Sequence, residues 1–179
     1  MSRDWSKLDE LILYVAQRCA GDSRFGKIKL NKILFYADFK AFLKTGKSIT
    51  GENYVKQPFG PVPCHLEKRL KHLKGKDLEV VETEFFRRRQ QRVVPKREAR
   101  LDKFSGEEIA IVDDVIRQSA NYTGSDISEL SHRFSAWRVA EIGEEIPYEA
   151  ALVQTGERTR EKLQVAETLL KRARDARSK

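Results

Sequence analysis

The sequence is poor in cysteine and histidine and has no long apolar run. Its two cysteines, Cys19 and Cys64, form at most one bridge, which excludes a disulfide-rich scaffold and favours a reducing compartment. The apolar runs are far shorter than the about 20 residues that span a bilayer. No charged-then-apolar leader opens the sequence, so we expect a cytoplasmic protein without a membrane partner.

Sequence patterns of catalysis and metal binding are also missing. There is no CxxC, HExxH, glycine-rich phosphate loop or GxSxG turn. The three histidines are His65, His72 and His132, and a zinc site built from Cys64 and His72 is the weaker alternative. We therefore predict that the protein is not an enzyme and uses no catalytic residue, metal or cofactor.

Charge is spread unevenly along the chain, whose formal net charge is +8. Residues 87–103 hold eight Lys/Arg against two Asp/Glu, whereas residues 104–155 hold three against ten. A basic arm of this kind suits a nucleic acid or an acidic protein as partner. The alternative is that basic and acidic segments neutralise each other within the fold.

Residues 27–44 have the apolar spacing of a helix that is covered on two sides. One apolar stripe contains Leu30, Leu34, Ala37 and Ala41, and the opposite stripe contains Ile28, Phe35, Phe39 and Phe42. Such a helix must pack against other elements on both faces, so we predict a central buried helix. Of the polar residues between the stripes, we expect Asn31 and Asp38 to bind loop backbone. Lys32 and Tyr36 either line a binding groove or bond to the following loop.

The remaining pattern predicts a mainly α fold with a short β-hairpin or small sheet and a C-terminal helix. Three prolines within 58–63 argue against regular structure there. The domain limits that we predict are 1–155 for the main domain and 156–179 for a basic helical extension. The other predicted elements are helices over 7–20 and 64–74, a hairpin or extended loop over 47–56, two strands over 77–95, helices that begin at Ser105 and near Asp126, short helices around Trp137 and Tyr148, and a helix over 156–176.

The predicted hairpin over 77–95 carries a basic tip. Arg87, Arg88 and Arg89 lie at the tip or its flank, and Arg92 follows on the returning strand. Helices followed by such a hairpin are typical of winged-helix proteins, in which arginines contact phosphates and Phe85 and Phe86 could stack on bases. The alternative is a solvated hairpin edge that charge protects against strand pairing.

Four short segments together resemble a known protein family. They are Phe25-Gly26-Lys27-Ile28-Lys29-Leu30-Asn31-Lys32-Ile33-Leu34-Phe35-Tyr36-Ala37-Asp38, then Gly46-Lys47-Ser48-Ile49-Thr50-Gly51-Glu52, then Gln57-Pro58-Phe59-Gly60-Pro61-Val62-Pro63, and finally Leu130-Ser131-His132 with Trp137. In order and content they resemble the Panacea domain, the SocA-like antitoxin domain of bacteria and phages. The third segment departs from the family's YGPV element by carrying Phe in place of Tyr.

The resemblance implies a mostly helical protein that neutralises a cognate toxin by direct binding and catalyses nothing. It also implies a second mechanism, in which the protein is an adaptor that delivers the toxin to a ClpXP-type protease. A winged-helix-like nucleic-acid-binding role is the third alternative. Phe59 either anchors an interface or plugs the core. The residues that we predict to contact the partner are Lys32, Tyr36, Phe59, Arg87, Arg88, Arg89 and Arg92.

Overall fold

The chain folds into a mainly α structure with two small antiparallel sheets. The computed structural model describes residues 5–154 and 160–177. The helices are α1 (Trp5–Arg18), α2 (Lys27–Thr45), α3 (Leu66–Leu73), α4 (Gly106–Ser119), α5 (Gly124–Ser131), α6 (Ser135–Val139) and α7 (Arg160–Arg177), with 3₁₀ turns at Leu101–Lys103 and Tyr148–Gln154. The strands are β1 (Tyr54–Gln57), β2 (Gly60–Pro63), β3 (Leu78–Phe85), β4 (Arg88–Pro95) and β5 (Glu145–Ile146).

Helix α2 lies between two apolar clusters. Its Leu30, Ile33 and Leu34 belong to the larger cluster, which includes side chains of α1, α3 and α4. On another side of the helix, Phe35 and Phe39 belong to a second cluster with Tyr54, Phe134 and Ala166. The predicted second stripe is wrong at Ile28, which is 50% exposed near the start of the helix.

The first sheet has the strand order β2-β1-β5, and it corrects the expectation that the proline-rich segment has no regular structure. β2 pairs with β1 in antiparallel register from Gln57↔Gly60 to Tyr54↔Pro63. β2 lies at the edge of the sheet. Its prolines stand two positions apart, at 61 and 63, so the backbone nitrogens of both face away from β1, where no hydrogen bond to the sheet is needed. Edge strands tolerate proline for this reason.

The second sheet is the hairpin β3–β4, whose strands pair from Leu78↔Pro95 to Phe85↔Arg88. Its connection is therefore the two residues Phe86 and Arg87. Both have positive φ, 46° and 61°, as a type I′ turn requires, although neither is glycine or asparagine. The expected strand pair is confirmed, and its tip lies at Phe86-Arg87.

Two helices of the C-terminal half, α4 and α5, begin with capping boxes. Ser105 forms the predicted capping box with Glu108 at the start of α4. The next helix begins earlier than expected, because Thr123 caps α5 and Asp126 occupies the third position of its capping box. In α7, Ala166 and Leu170 are buried. Residues 156–159 of the predicted final helix, and the predicted limit between 155 and 156, lie outside the described residues.

Candidate protein-interaction site

The turn between β1 and β2 displays an aromatic side chain to solvent. Pro58 and Phe59 connect the two strands, and Phe59 is 73% exposed. The reading in which Phe59 plugs the core is therefore wrong. An exposed large aromatic residue on a tight turn is available for contact with a partner protein.

Lys32 holds this turn from below. It is only 1% exposed, and its Nζ donates a hydrogen bond to the Pro61 carbonyl oxygen at 2.8 Å. Burial lowers the pKa of Lys32 to about 7. The prediction that Lys32 contacts a partner requires correction, since its ammonium is enclosed by the protein. The sequence left two interpretations of Lys32, a groove residue or a residue that bonds to the following loop, and the second one is correct.

Gly60 allows the turn to pack closely on its support. Its φ is +98°, a left-handed conformation that favours glycine. A Cβ added here would lie 2.1 Å from Ser131 Oγ and 2.7 Å from Lys32 Nζ. Ser131 is itself fixed, because its hydroxyl donates to the Ser128 carbonyl at 2.6 Å. The motif residues Lys32, Gly60 and Ser131 thus meet at one point under the turn.

Trp137 and His132 brace the other end of the turn. The Trp137 indole N–H donates to the Gln57 carbonyl at 3.1 Å, so the last carbonyl of β1 satisfies it. The imidazole of His132 stacks on the indole with ring centroids 4.1 Å apart and planes 8° apart. Lys56 Nζ lies 4.7 Å from the centroid of the indole ring. Burial lowers the pKa of His132, and the charge of Lys32 lowers it further.

Asp38 anchors the segment that leads into β1. Its buried carboxylate accepts hydrogen bonds from the backbone N–H groups of Ile49 and Thr50 at 2.8 and 2.9 Å. It also accepts from the Thr50 hydroxyl at 2.6 Å and the Tyr54 hydroxyl at 2.7 Å. Burial raises the pKa of Asp38, while these hydrogen bonds oppose the rise. The expectation that Asp38 satisfies loop backbone is confirmed.

Tyr36 faces a separate apolar groove. A cavity of about 610 Å³ opens between α2, α4 and α5, and its lining includes Tyr36, Phe39, Leu43, Tyr122, Leu130 and Phe134. Burial raises the pKa of Tyr36. Tyr36 therefore lines a groove, and its contact with a partner stays a prediction, whereas Lys32 bonds to the following loop.

The basic residues of the β3–β4 hairpin divide into two groups. Arg87, Arg88 and Arg89 are exposed at the tip. Arg92 instead donates to the backbone carbonyls of Asp22 at 2.8 Å and Cys19 at 3.2 Å. Arg92 therefore ties the hairpin to the loop between α1 and α2, and its contact with a partner stays a prediction.

The predicted contact residues do not form one patch. Lys32 lies beneath the turn that carries Phe59, whereas the tip arginines belong to the other sheet. Sequence reasoning did not assign a role to Gly60 or Ser131, although both stand in the quoted motifs. Their meeting is a tertiary contact between residues 71 positions apart, which no local spacing encodes.

The described part of the chain offers little for metal chemistry or membrane insertion. Within residues 5–154 and 160–177 no group of three or more His, Cys, Asp or Glu side chains could hold a metal ion. Cys19 is buried and Cys64 is exposed. None of the helices described has the length and apolar character to cross a bilayer.

Comparison with known proteins places the site within a family. The family described as "Antitoxin SocA-like, Panacea domain" matches residues 30–138, a span that includes Lys32, Gly60, Ser131 and Trp137. No curated protein matches the chain. The family match covers more than half of the 179 residues. The chain therefore belongs to the SocA-like antitoxin family of Panacea domains.

Proposed function

We propose that this protein is an antitoxin that neutralises a cognate toxin by direct protein–protein binding, with Phe59 as a central contact. Family membership supports an antitoxin-like role. The observation that carries the binding mode is the braced turn, in which buried motif residues hold an aromatic side chain in solvent. The toxin, like its antitoxin, would act in the cytoplasm of a bacterium or of a phage-infected cell.

Rigidity makes this turn a favourable contact. A turn whose backbone is already held in place loses little backbone entropy when a partner covers it. Burial of a phenylalanine contributes about 1.5–3 kcal/mol, and aromatic residues are enriched among the residues that dominate interface energies. The bonds from Lys32 to Pro61 and from Trp137 to Gln57 fix the backbone on both sides of Phe59.

Binding rather than catalysis is the role that the titratable groups favour. Lys32 and Asp38 have perturbed pKa values, but each is engaged with the protein's own backbone. A catalytic group must instead reach a substrate in an accessible cavity. These two buried charges therefore support a structural task, and we propose no enzymatic activity.

The test is co-expression with the product of the neighbouring reading frame as the candidate toxin. We expect the wild-type chain to restore growth and to bind the toxin. Phe59→Ala should weaken binding at least about tenfold and leave the free energy of unfolding within about 0.5 kcal/mol, as for surface substitutions. Leu152→Ala is the matched control, because Leu152 is 60% exposed and lies on the Tyr148–Gln154 turn.

Two results would contradict the proposal. If the wild-type chain neutralises no neighbouring gene product, the antitoxin function is wrong. If Phe59→Ala binds the toxin as tightly as wild type, Phe59 is not the contact. The toxin's half-life separates the two mechanisms. If the protein only sequesters the toxin, deletion of this gene leaves the toxin's half-life unchanged. If the protein delivers the toxin to a protease, deletion of this gene lengthens the toxin's half-life.

A further inference from the structure

A second cleft lies beside the tip of the β3–β4 hairpin. Its volume is about 340 Å³, and its walls come from the end of β3 and the start of β4, from the loop before α2 and the start of α2, and from the start of α5. The lining includes Arg24, Lys27, Phe85, Arg88 and Arg89. Five of the twelve lining residues are Lys or Arg and none is Asp or Glu, so the cleft offers a concentrated positive charge.

Among the residues that the structure describes, the arginines of this cleft have no carboxylate at ion-pair distance, although Glu84 lies opposite Arg89 in the register of the hairpin. In the described ranges, Arg24, Arg88 and Arg89 form no ion pair within 4 Å, whereas Lys27 pairs with Glu67 at 2.9 Å. Asp126 lies close enough to Arg24 for an electrostatic interaction, but the Asp126 carboxylate accepts its hydrogen bonds within the capping box of α5. Many other cations of the chain have carboxylate partners, as in Lys29–Asp22 and Arg97–Glu10.

The cleft is built before any partner arrives. Gln90 Nε2 donates to the Ser23 carbonyl at 2.9 Å, which fastens β4 to the loop before α2. Gly26 allows the two backbones to approach, because a Cβ there would lie 3.2 Å from the Gln91 carbonyl oxygen. Arginines on such a fixed wall lose less freedom on binding than arginines on a mobile loop.

The tip above the cleft stores backbone strain and exposes a second aromatic ring. Phe86 is 85% exposed, and its ring contacts that of Phe85 with centroids 4.5 Å apart. Phe86 and Arg87 both adopt positive φ, a conformation that costs side-chain-bearing residues stability. Asn-Gly is the pair that such a turn favours, so Phe86-Arg87 is not the pair that stability of the hairpin alone would select.

We propose that this cleft and tip bind an acidic segment of the partner protein, with carboxylates at Arg24, Arg88 and Arg89 and an apolar side chain against Phe86. Guanidinium groups bind carboxylates through paired hydrogen bonds, and the aromatic tip adds apolar burial. This inference rests on the proposed function, because it assigns a second contact surface to the same antitoxin–toxin complex.

A protein segment fits the charge pattern better than a nucleic acid does. A nucleic acid carries evenly repeated phosphates and needs an extended basic track. A separate group of exposed cations, Lys68 and Lys71 of α3 with Lys74 just after it, lies at the opposite end of the hairpin. Between them and the tip, β3 carries the carboxylates of Glu79, Glu82 and Glu84, which interrupt any such track.

The cleft is tested directly with a fluorescein-labelled hexaglutamate peptide titrated into the full chain at low salt. We expect the triple charge reversal of Arg24, Arg88 and Arg89 to Glu to weaken peptide binding at least about tenfold. The matched control reverses Lys68, Lys71 and Lys74 to Glu, which changes net charge equally and should alter the affinity less than about twofold. Equal loss in both variants would overturn the proposal, as would tighter binding of a short oligodeoxythymidine strand than of the peptide.

The tip is tested with the variant Phe86→Asn/Arg87→Gly, which gives the turn its preferred residues. We expect a higher urea midpoint together with about tenfold weaker binding of the neighbouring gene's product. Suppose that the wild-type chain neutralises the toxin. If this variant and the arginine variant then bind the toxin as tightly as wild type, the cleft proposal is wrong and the proposed function still stands. If the wild type neutralises no toxin, the proposed function fails, and the peptide titration still decides what the cleft binds.

Discussion

The close packing of Gly60 makes a quantitative prediction about stability. An alanine here requires a side-chain-bearing residue at φ +98°, which costs about 1–2 kcal/mol. Its Cβ would also overlap Ser131 Oγ and Lys32 Nζ, which lie 2.1 and 2.7 Å from the ideal position. If both groups move, the Ser131–Ser128 bond loses about 1 kcal/mol and the Lys32–Pro61 bond about 1.5–3 kcal/mol.

Gly60→Ala should therefore lower the free energy of unfolding by about 4–6 kcal/mol, a value that few single substitutions reach. Urea unfolding followed by circular dichroism measures it. Gly75→Ala is the control, because Gly75 also has positive φ, +85°, but a Cβ there meets nothing within 4 Å. The control isolates the backbone cost of about 1–2 kcal/mol.

The reasoning is refuted if Gly60→Ala and Gly75→Ala destabilise equally, since the contact under the turn would then cost nothing. Adding Ser131→Ala to Gly60→Ala provides a second check. Removal of the hydroxyl relieves the shorter overlap, so the double variant should be more stable than Gly60→Ala alone. Additive losses would show that the two residues do not interact.

Two further predictions concern buried charges. Because the pKa of Lys32 is about 7 in the folded protein and about 10.5 when unfolded, the unfolded chain binds more protons above pH 7, and stability should rise by about 2 kcal/mol between pH 7 and 9. Urea midpoints across this range should show the rise in wild type, and an equal rise in Lys32→Met would exclude Lys32 as its source. Asp38→Ala should cost about 3–5 kcal/mol, because it leaves the donors of Ile49, Thr50 and Tyr54 buried without an acceptor, whereas Asp38→Asn keeps an oxygen for the backbone N–H groups and should cost less. The same unfolding assay compares them, and equal losses in the two variants would argue against this bonding scheme.

Local signals predicted the helices well, because their causes are local. Ser105 and Glu108 stand three positions apart in the sequence, and the capping box they predict is present. The start of α5 was misplaced because Asp126 is itself a good cap residue. Thr123 uses it instead as the third residue of an earlier box.

The candidate site was harder to predict, because its residues act across distance. On the predicted helix Lys32 lies one turn from Lys29 and one turn from Tyr36, a pattern that is typical of a solvated face. In the structure its ammonium instead donates a hydrogen bond to the Pro61 carbonyl. The proline-rich segment forms a strand only because it lies at the edge of a sheet. The exposure of Phe59 and Arg87 follows from their place in tight turns, but which arginines hydrogen-bond to the protein itself depends on tertiary contacts.

The stack of His132 on Trp137 gives the protein a built-in optical probe. The chain has two tryptophans, so Trp5→Phe leaves Trp137 as the sole indole emitter. The Trp137 indole N–H is hydrogen-bonded to the carbonyl of Gln57, two residues from Phe59. The emission of Trp137 therefore depends on the environment of the turn. A ligand that covers Phe59 would shift the emission maximum of Trp137 or change its intensity without any added dye. Stopped-flow mixing would then give the rate of binding.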